Sequence, residues 1–193
     1  MIKTAQITKT EQLEQLYKLY QACQACPLGT QGRSKIVFGE GNTDSRLMLI
    51  GEGPGQQEDE QGKPFVGRSG KLLTKALELV GIKRENIFIT NIVKCRPPNN
   101  RKPLETEINT CMHLLLLKQI EIIDPKVICT LGISALEGLI KQKIKMSQMR
   151  GKPIQFGKTI IFPTYHPAYI LRSMGKFLTF ETDLKTAYLL ATK

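Results

Sequence analysis

Four short apolar runs set the frame of this chain: RLMLI at 46–50, NIFITNIV at 86–93, KVICTLG at 126–132 and a fourth within KPIQFGKTIIFPTYH at 152–166. Each passes at once into a loop of glycine, proline or polar residues. Short apolar runs bounded by turn residues read as buried strands, and strands alternating with helices read as a mostly parallel sheet covered on both faces. The helical patterns between them are EQLEQLYKLYQAC at 11–23, GKLLTKALELVGI at 70–82 closed by Gly81, the short SALEGLI, and TFETDLKTAYLLAT at 179–192. ETEINTCMHLLLLKQIEII at 105–123 reads as one long helix stopped before Pro125, and KPIQFGKTIIFPTYH as a hairpin feeding the fourth strand. With no internal repeat, low-complexity tract or linker, the expectation is one domain over 1–193. Its fold class is α/β: three layers, α/β/α, around a central four-stranded, mostly parallel sheet.

In such a sheet the ligand crevice lies beyond the carboxyl ends of the strands. The unusual loops fall there: GEGPG after the first strand, NIVKCRPPNN after the second, LG after the third and YHPAYILR after the fourth. Glycines after a strand first suggest a nucleotide phosphate. A dinucleotide fingerprint, however, needs glycine where this chain has Gln56 and a helix starting at once, whereas here acidic QQEDEQ follows. GRSGK at 67–71 lacks the spacing of a P-loop and continues with Leu72.

A formal charge of +11, from 28 Lys and Arg against 17 Asp and Glu, favours a polyanionic partner such as nucleic acid. The longest apolar stretches, such as LLLL at 114–117, are too short to span a bilayer, and MIKTAQITKT lacks the apolar core of a signal peptide. A soluble, cytoplasmic monomer without membrane partners is expected. Cys23 and Cys26 form C-x-x-C, Cys95 and Cys111 a wider pair, and Cys129 sits alone in an apolar strand. In a reducing compartment two such pairs suggest a metal or cluster site, with zinc and iron–sulfur both open and four unrelated buried thiols as the bland alternative.

Five ordered motifs, CQACPLG at 23–29, GEGPGQQED at 51–59, KPFVGRSGKLL at 63–73, TNIVKCRPPNNRKP at 90–103 and YHPAYILR at 165–172, strongly resemble family 4 uracil-DNA glycosylases. The resemblance implies removal of uracil from single- or double-stranded DNA and a [4Fe-4S] cluster on Cys23, Cys26, Cys95 and Cys111. It makes Phe65 the ring on which the extruded base stacks, Asn91 the reader of the base edge and His166 the donor to uracil O2. The backbone around Glu52, Gly53 and Pro54 would approach uracil or the attacking water. Glu52 would exclude thymine's methyl group or position water, with Glu58, Asp59 and Asn100 as further candidates on the water side. Tyr169, Ile170 or Leu171 would form the minor-groove wedge, with Arg172 on phosphate.

Taken singly, Phe65 reads as core, Asn91 as a turn or cap residue, His166 as a loop residue, Glu58 and Asp59 as helix-start carboxylates and YILR as an ordinary helical turn. The other histidine, His113, reads as structural and Cys129 as core. Two rival functions follow from the same motifs: a covalent uracil-DNA-binding protein, disfavoured because RPPNNRKPLETEINT holds no histidine and no added loop, and a nonenzymatic iron–sulfur DNA-binding module.

Overall fold

A computed structural model of the protein describes residues 7–193; the first six residues of the expected domain, and with them most of the segment compared with a signal peptide, lie outside the described residues. Six strands form one sheet: β1 (Glu40–Gly41), β2 (Leu47–Gly51), β3 (Phe88–Asn91), β4 (Val127–Leu131), β5 (Ile154–Phe156) and β6 (Thr159–Thr164). Their order is β1-β3-β2-β4-β6-β5, and β3, β2, β4 and β6 are mutually parallel, which are the four strands expected. Two antiparallel edges extend them. β5 completes the expected hairpin with β6, whereas the two-residue β1, paired to β3, carries no pattern in the sequence.

The helices are α1 (Lys9–Tyr20), α2 (Pro27–Thr30), α3 (Gln56–Gln61), α4 (Arg68–Leu79), α5 (Glu105–Cys111), α6 (Leu117–Ile123), α7 (Ile133–Ile140), α8 (Met146–Met149), α9 (Pro167–Arg172) and α10 (Phe177–Thr192). Alternate residues of each central strand supply two cores, because side chains of a strand alternate between faces. Met48, Ile50, Ile128 and Ile161 pack with α1, α5, α6 and α7 on one side. Leu47, Leu49, Val127, Cys129 and Phe162 pack with α4, α9 and α10 on the other. Both faces being covered, β2, β3 and β4 are buried along their whole length. This is why they read as largely apolar runs, broken only at Thr90, Asn91 and Thr130. Among the described residues no helix is long and apolar enough to cross a membrane.

Three expectations need correction. The pattern over 105–123 is not one regular helix: a π-helical turn at Met112–Leu116 separates α5 from α6. QQEDEQ does not run on as loop, since α3 starts at Gln56 directly after Gly55, helped by the Glu58 carboxylate, which accepts from Gly55 N–H at 3.2 Å. The fold therefore supplies the helix that a dinucleotide site would need, and the missing glycine and the acidic sequence alone argue against one. Asp59, a candidate for the water side, is only 3% exposed, and its carboxylate accepts from Ser34 N–H at 3.0 Å and Lys35 N–H at 3.4 Å. It ties α3 to the segment before β1 and is directed away from the crevice.

Candidate active site

The chain leaves β2 for β3 on one side and later returns to place β4 on the other, so the direction of winding reverses at β2. A parallel sheet opens a crevice at such a point. Here the loops after β2, β3, β4 and β6 enclose a cavity of about 850 Å³ lined by Glu52, Gly53, Pro54, Glu58, Phe65, Asn91, Asn100, His166, Tyr169 and Arg172. Ten of the residues singled out in the sequence meet there. Leu171 is partly exposed just outside the lining, and Ile170 is fully buried against α4 and α10, so Ile170 is core and not a wedge. Its position on the inner face of the short α9 explains the difference: Tyr169 and Arg172 stay exposed on the outer face.

Asn91 ends β3 at the floor of the cavity. It is 1% exposed, and its side-chain Oδ1 has no hydrogen-bond partner among the described residues. A buried acceptor without a donor is costly and rare, so its presence beside a cavity points to a ligand that completes it. The register pairs Asn91 with Gly51, and a Cβ at Gly51 would lie 2.4 Å from Asn91 Oδ1 and 2.5 Å from Phe65 Cζ. Only a residue without a side chain lets the amide and the ring share this corner.

Phe65 is 7% exposed and joins the α4 core while its ring faces the cavity. Its φ of +52° is uncommon for a bulky residue and costs about 1 kcal/mol or more. The loop is fastened on both sides of it. Glu58 Oε1 accepts from Val66 N–H at 2.9 Å and Gly67 N–H at 2.8 Å, and Arg84, ion-paired with Glu40 at 3.0 Å, donates to the Pro64 carbonyl. Glu58 is thus a loop fastener whose oxygens are engaged by three amides. The Glu52 carboxylate, by contrast, reaches the cavity without a hydrogen bond or ion pair among the described residues. Asn100 stands at the exposed rim with φ +56°, its Oδ1 accepting from Arg96 Nε at 2.8 Å.

His166 precedes α9, and its Nδ1 accepts from Ala168 N–H at 3.1 Å. In a neutral ring that leaves the proton on Nε2. Burial, reinforced by the Arg172 charge and opposed by Glu58, pulls its pKa down to about 4, so the ring is neutral at physiological pH. The rings of His166 and Phe65 lie 5.9 Å apart, centroid to centroid. Gly132, with φ +93°, fits directly against the His166 Cβ. Behind this loop Arg150 stands over the Tyr165 ring at 5.5 Å and pairs with Asp183 at 2.7 Å, and Asp183 also accepts from Thr164 Oγ1 at 2.7 Å. The N-termini of α4 and α7 border the cavity through Gly67, Arg68 and Ser69 and through Gly132, Ile133 and Ser134. Their dipoles favour negative charge inside it.

Cys23, Cys26, Cys95 and Cys111 line a second, narrow cavity, and all are free thiols. Among the described residues no three His, Cys, Asp or Glu side chains are arranged to hold a single metal ion. Burial pushes the Cys95 thiol up to about 12 against the pull of Arg33, and Cys111 up to about 11 against the pull of Lys94. Arg33 also donates to the Cys23 carbonyl at 2.9 Å and so shapes the C-x-x-C loop. Cys129 is buried in β4, away from this cavity, and His113 is exposed on the π-helical turn.

The family model described as the uracil DNA glycosylase superfamily matches residues 38–190, from the segment before β1 to α10. This chain belongs to the uracil-DNA glycosylase superfamily. Within it, the Type-4 uracil-DNA glycosylase of Thermotoga maritima is 50% identical over 149 residues, covering 76% of this chain and 77% of that protein. The Type-4 enzyme of Saccharolobus solfataricus is 46% identical over 162 residues, 79% and 74% of the two chains. A Type-5 uracil-DNA glycosylase of Pyrobaculum aerophilum is similar at 27% over 159 residues. Gly51, Arg84, Lys94, Arg150 and Asp183 were not anticipated as glycosylase site or supporting residues. Gly51 had a signal, a glycine ending a strand, and Lys94 lies within the motif TNIVKCRPPNNRKP close to its partners Thr90 and Asn91; Arg84, Arg150 and Asp183 act through contacts distant in sequence.

Proposed function

We propose that this chain excises uracil from DNA by hydrolysing its N-glycosyl bond and leaving an abasic site. One observation carries the reading: the buried, unpartnered Asn91 amide oxygen at the floor of a cavity walled by Phe65. An amide oxygen accepts from uracil N3–H, whereas cytosine offers an acceptor at that position. A base within a duplex is out of reach, so the nucleotide must be extruded and stacked on the Phe65 ring.

Breaking the bond between uracil N1 and the sugar C1′ sends the electron pair to the departing base while positive charge grows on the sugar. The Nε2–H of neutral His166 donates to uracil O2, where the negative charge collects, and the α4 and α7 N-termini add to the favourable field. Water then bonds to C1′ and releases a proton. Glu52 orients that water, because its carboxylate is uncommitted while that of Glu58 is held by amides; Asn100 adds a second polar group at the rim. Tyr169 and Leu171 replace the extruded base, and Arg172 holds a phosphate. A [4Fe-4S] cluster falls to Cys23, Cys26, Cys95 and Cys111. Four thiols around one cavity suit a polynuclear centre that takes all four as thiolates. When bound it supplies a fastening point for the chain between Cys95 and Asn91, and no chemical step runs through it. The five unpaired cysteines suit the reducing cytoplasm, and the reading takes the chain as a monomer.

The test is incubation with a single-uracil oligonucleotide followed by alkali. Multiple-turnover strand breakage is expected, abolished by about 100-fold or more in Asn91→Ala and retained in His113→Ala. A stable protein–DNA adduct would mean a covalent binder. Intact DNA with retained binding would leave only a DNA-binding module.

A further inference from the structure

The largest fully buried side chains include a lysine, Lys94, with 0% exposure, among phenylalanines and leucines. Its ammonium donates to the Thr90 hydroxyl and, at 2.8 Å, to the Asn91 carbonyl. Its backbone N–H donates to Cys111 Sγ at 3.3 Å and its carbonyl accepts from Val37 N–H at 2.7 Å, while the residue itself borders the cysteine cavity. The Thr90 hydroxyl continues the chain of bonds to the Phe38 carbonyl at 2.9 Å, which also accepts from Gln119 Nε2 at 2.9 Å. Among the described residues no carboxylate lies within ion-pair distance of the ammonium.

A buried amine is costly unless it is hydrogen-bonded, and an apolar side chain of similar size would pack here without that cost. We propose that Lys94 is a positioning residue that joins the two centres: its backbone N–H is tied to Cys111 Sγ, while its side-chain amine, held by the Thr90 hydroxyl, donates to the Asn91 carbonyl and fixes the backbone from which the base-reading amide projects. The inference rests on the glycosylase and cluster readings above. Lys94 touches neither uracil nor the scissile bond, and its role is to set where Asn91 stands.

The experiment uses the iron-loaded full chain, after the unaltered protein has been shown to excise uracil and to hold four irons. Failure at that stage overturns the readings above rather than this one. Lys94→Met keeps most of the length and removes the donor. With iron content unchanged, the single-turnover excision rate is expected to fall between about 10- and 100-fold, with affinity for abasic-site DNA retained. If Lys94→Met takes up no iron, Thr90→Val decides, since it removes one partner of the amine: a rate loss of about 10-fold with iron retained supports the link. A loaded Lys94→Met protein with unchanged rate, or an unchanged rate in Thr90→Val where that variant decides, makes Lys94 a packing residue and overturns the proposal.

Discussion

Replacing Gly51 by alanine adds one methyl group at the corner where Asn91 and Phe65 meet. That methyl would stand 2.4 Å from Asn91 Oδ1, 2.5 Å from Phe65 Cζ and 2.9 Å from Phe65 Cε2. Ordinary contacts are about 3.5 Å, so the ring or the amide must recede by about 1 Å. Neither is free to do so. Phe65 is pinned between the amides held by Glu58 and the carbonyl held by Arg84, and Asn91 is fixed by its strand pairing to Gly51 and by Lys94. Overpacking of this kind costs about 1–3 kcal/mol of stability. The greater effect falls on catalysis, because a misplacement of about 1 Å lowers a rate by about 100-fold. The measurement is single-turnover excision from a uracil oligonucleotide, with circular dichroism to verify folding and abasic-site DNA binding to verify the outer contacts. Binding is expected to hold because Tyr169 and Arg172 are untouched. A folded Gly51→Ala protein within about 3-fold of the parent rate would refute the argument that ring and amide form one reading site.

The pH response of His166 runs in a definite direction. Its folded pKa of about 4 lies below the ordinary 6.5, so the unfolded chain binds the proton more readily; stability is full above about pH 6.5 and declines as pH falls towards 4, by at most about 3 kcal/mol. Denaturant titrations of the parent and His166→Gln should show a shallower acid decline in the variant over that window, and equal declines would contradict the burial argument. Arg172→Ala should weaken DNA binding for all sequences alike and lower the slope of log affinity against log salt by about 1, measured by fluorescence anisotropy; an unchanged slope would remove Arg172 from the phosphate contacts.

The four parallel strands were legible because a strand covered on both faces is apolar at most positions, and Leu47–Ile50 and Val127–Leu131 are, Thr130 excepted. The edge strand Glu40–Gly41 was not, because two residues paired on one side need no pattern. The π-helical turn at Met112–Leu116 escaped because its apolar spacing matches that of a regular helix. Motif resemblance brought forward the residues that touch the cavity, Phe65, Asn91 and His166 among them. It could not separate Glu52 from Glu58, since both are carboxylates of one motif; the amides of Gly55, Val66 and Gly67 do that. Nor could it reject Asp59 or Ile170, whose burial depends on segments far away in the sequence. Arg84 and Lys94 gave no sign of their roles, because nothing local announces a side chain that donates to the Pro64 or Asn91 carbonyl.

The order of the loops along the chain also carries a meaning for how the protein is made. Cys23, Cys26, Cys95 and Cys111 all precede β4, whereas His166, Tyr169 and Arg172 follow the last strand of the sheet. On a ribosome every sulfur of the cysteine centre therefore exists before the catalytic pocket has its fourth wall. The four thiols proposed for the cluster are thus made first, and the His166 loop that completes the base pocket is made last.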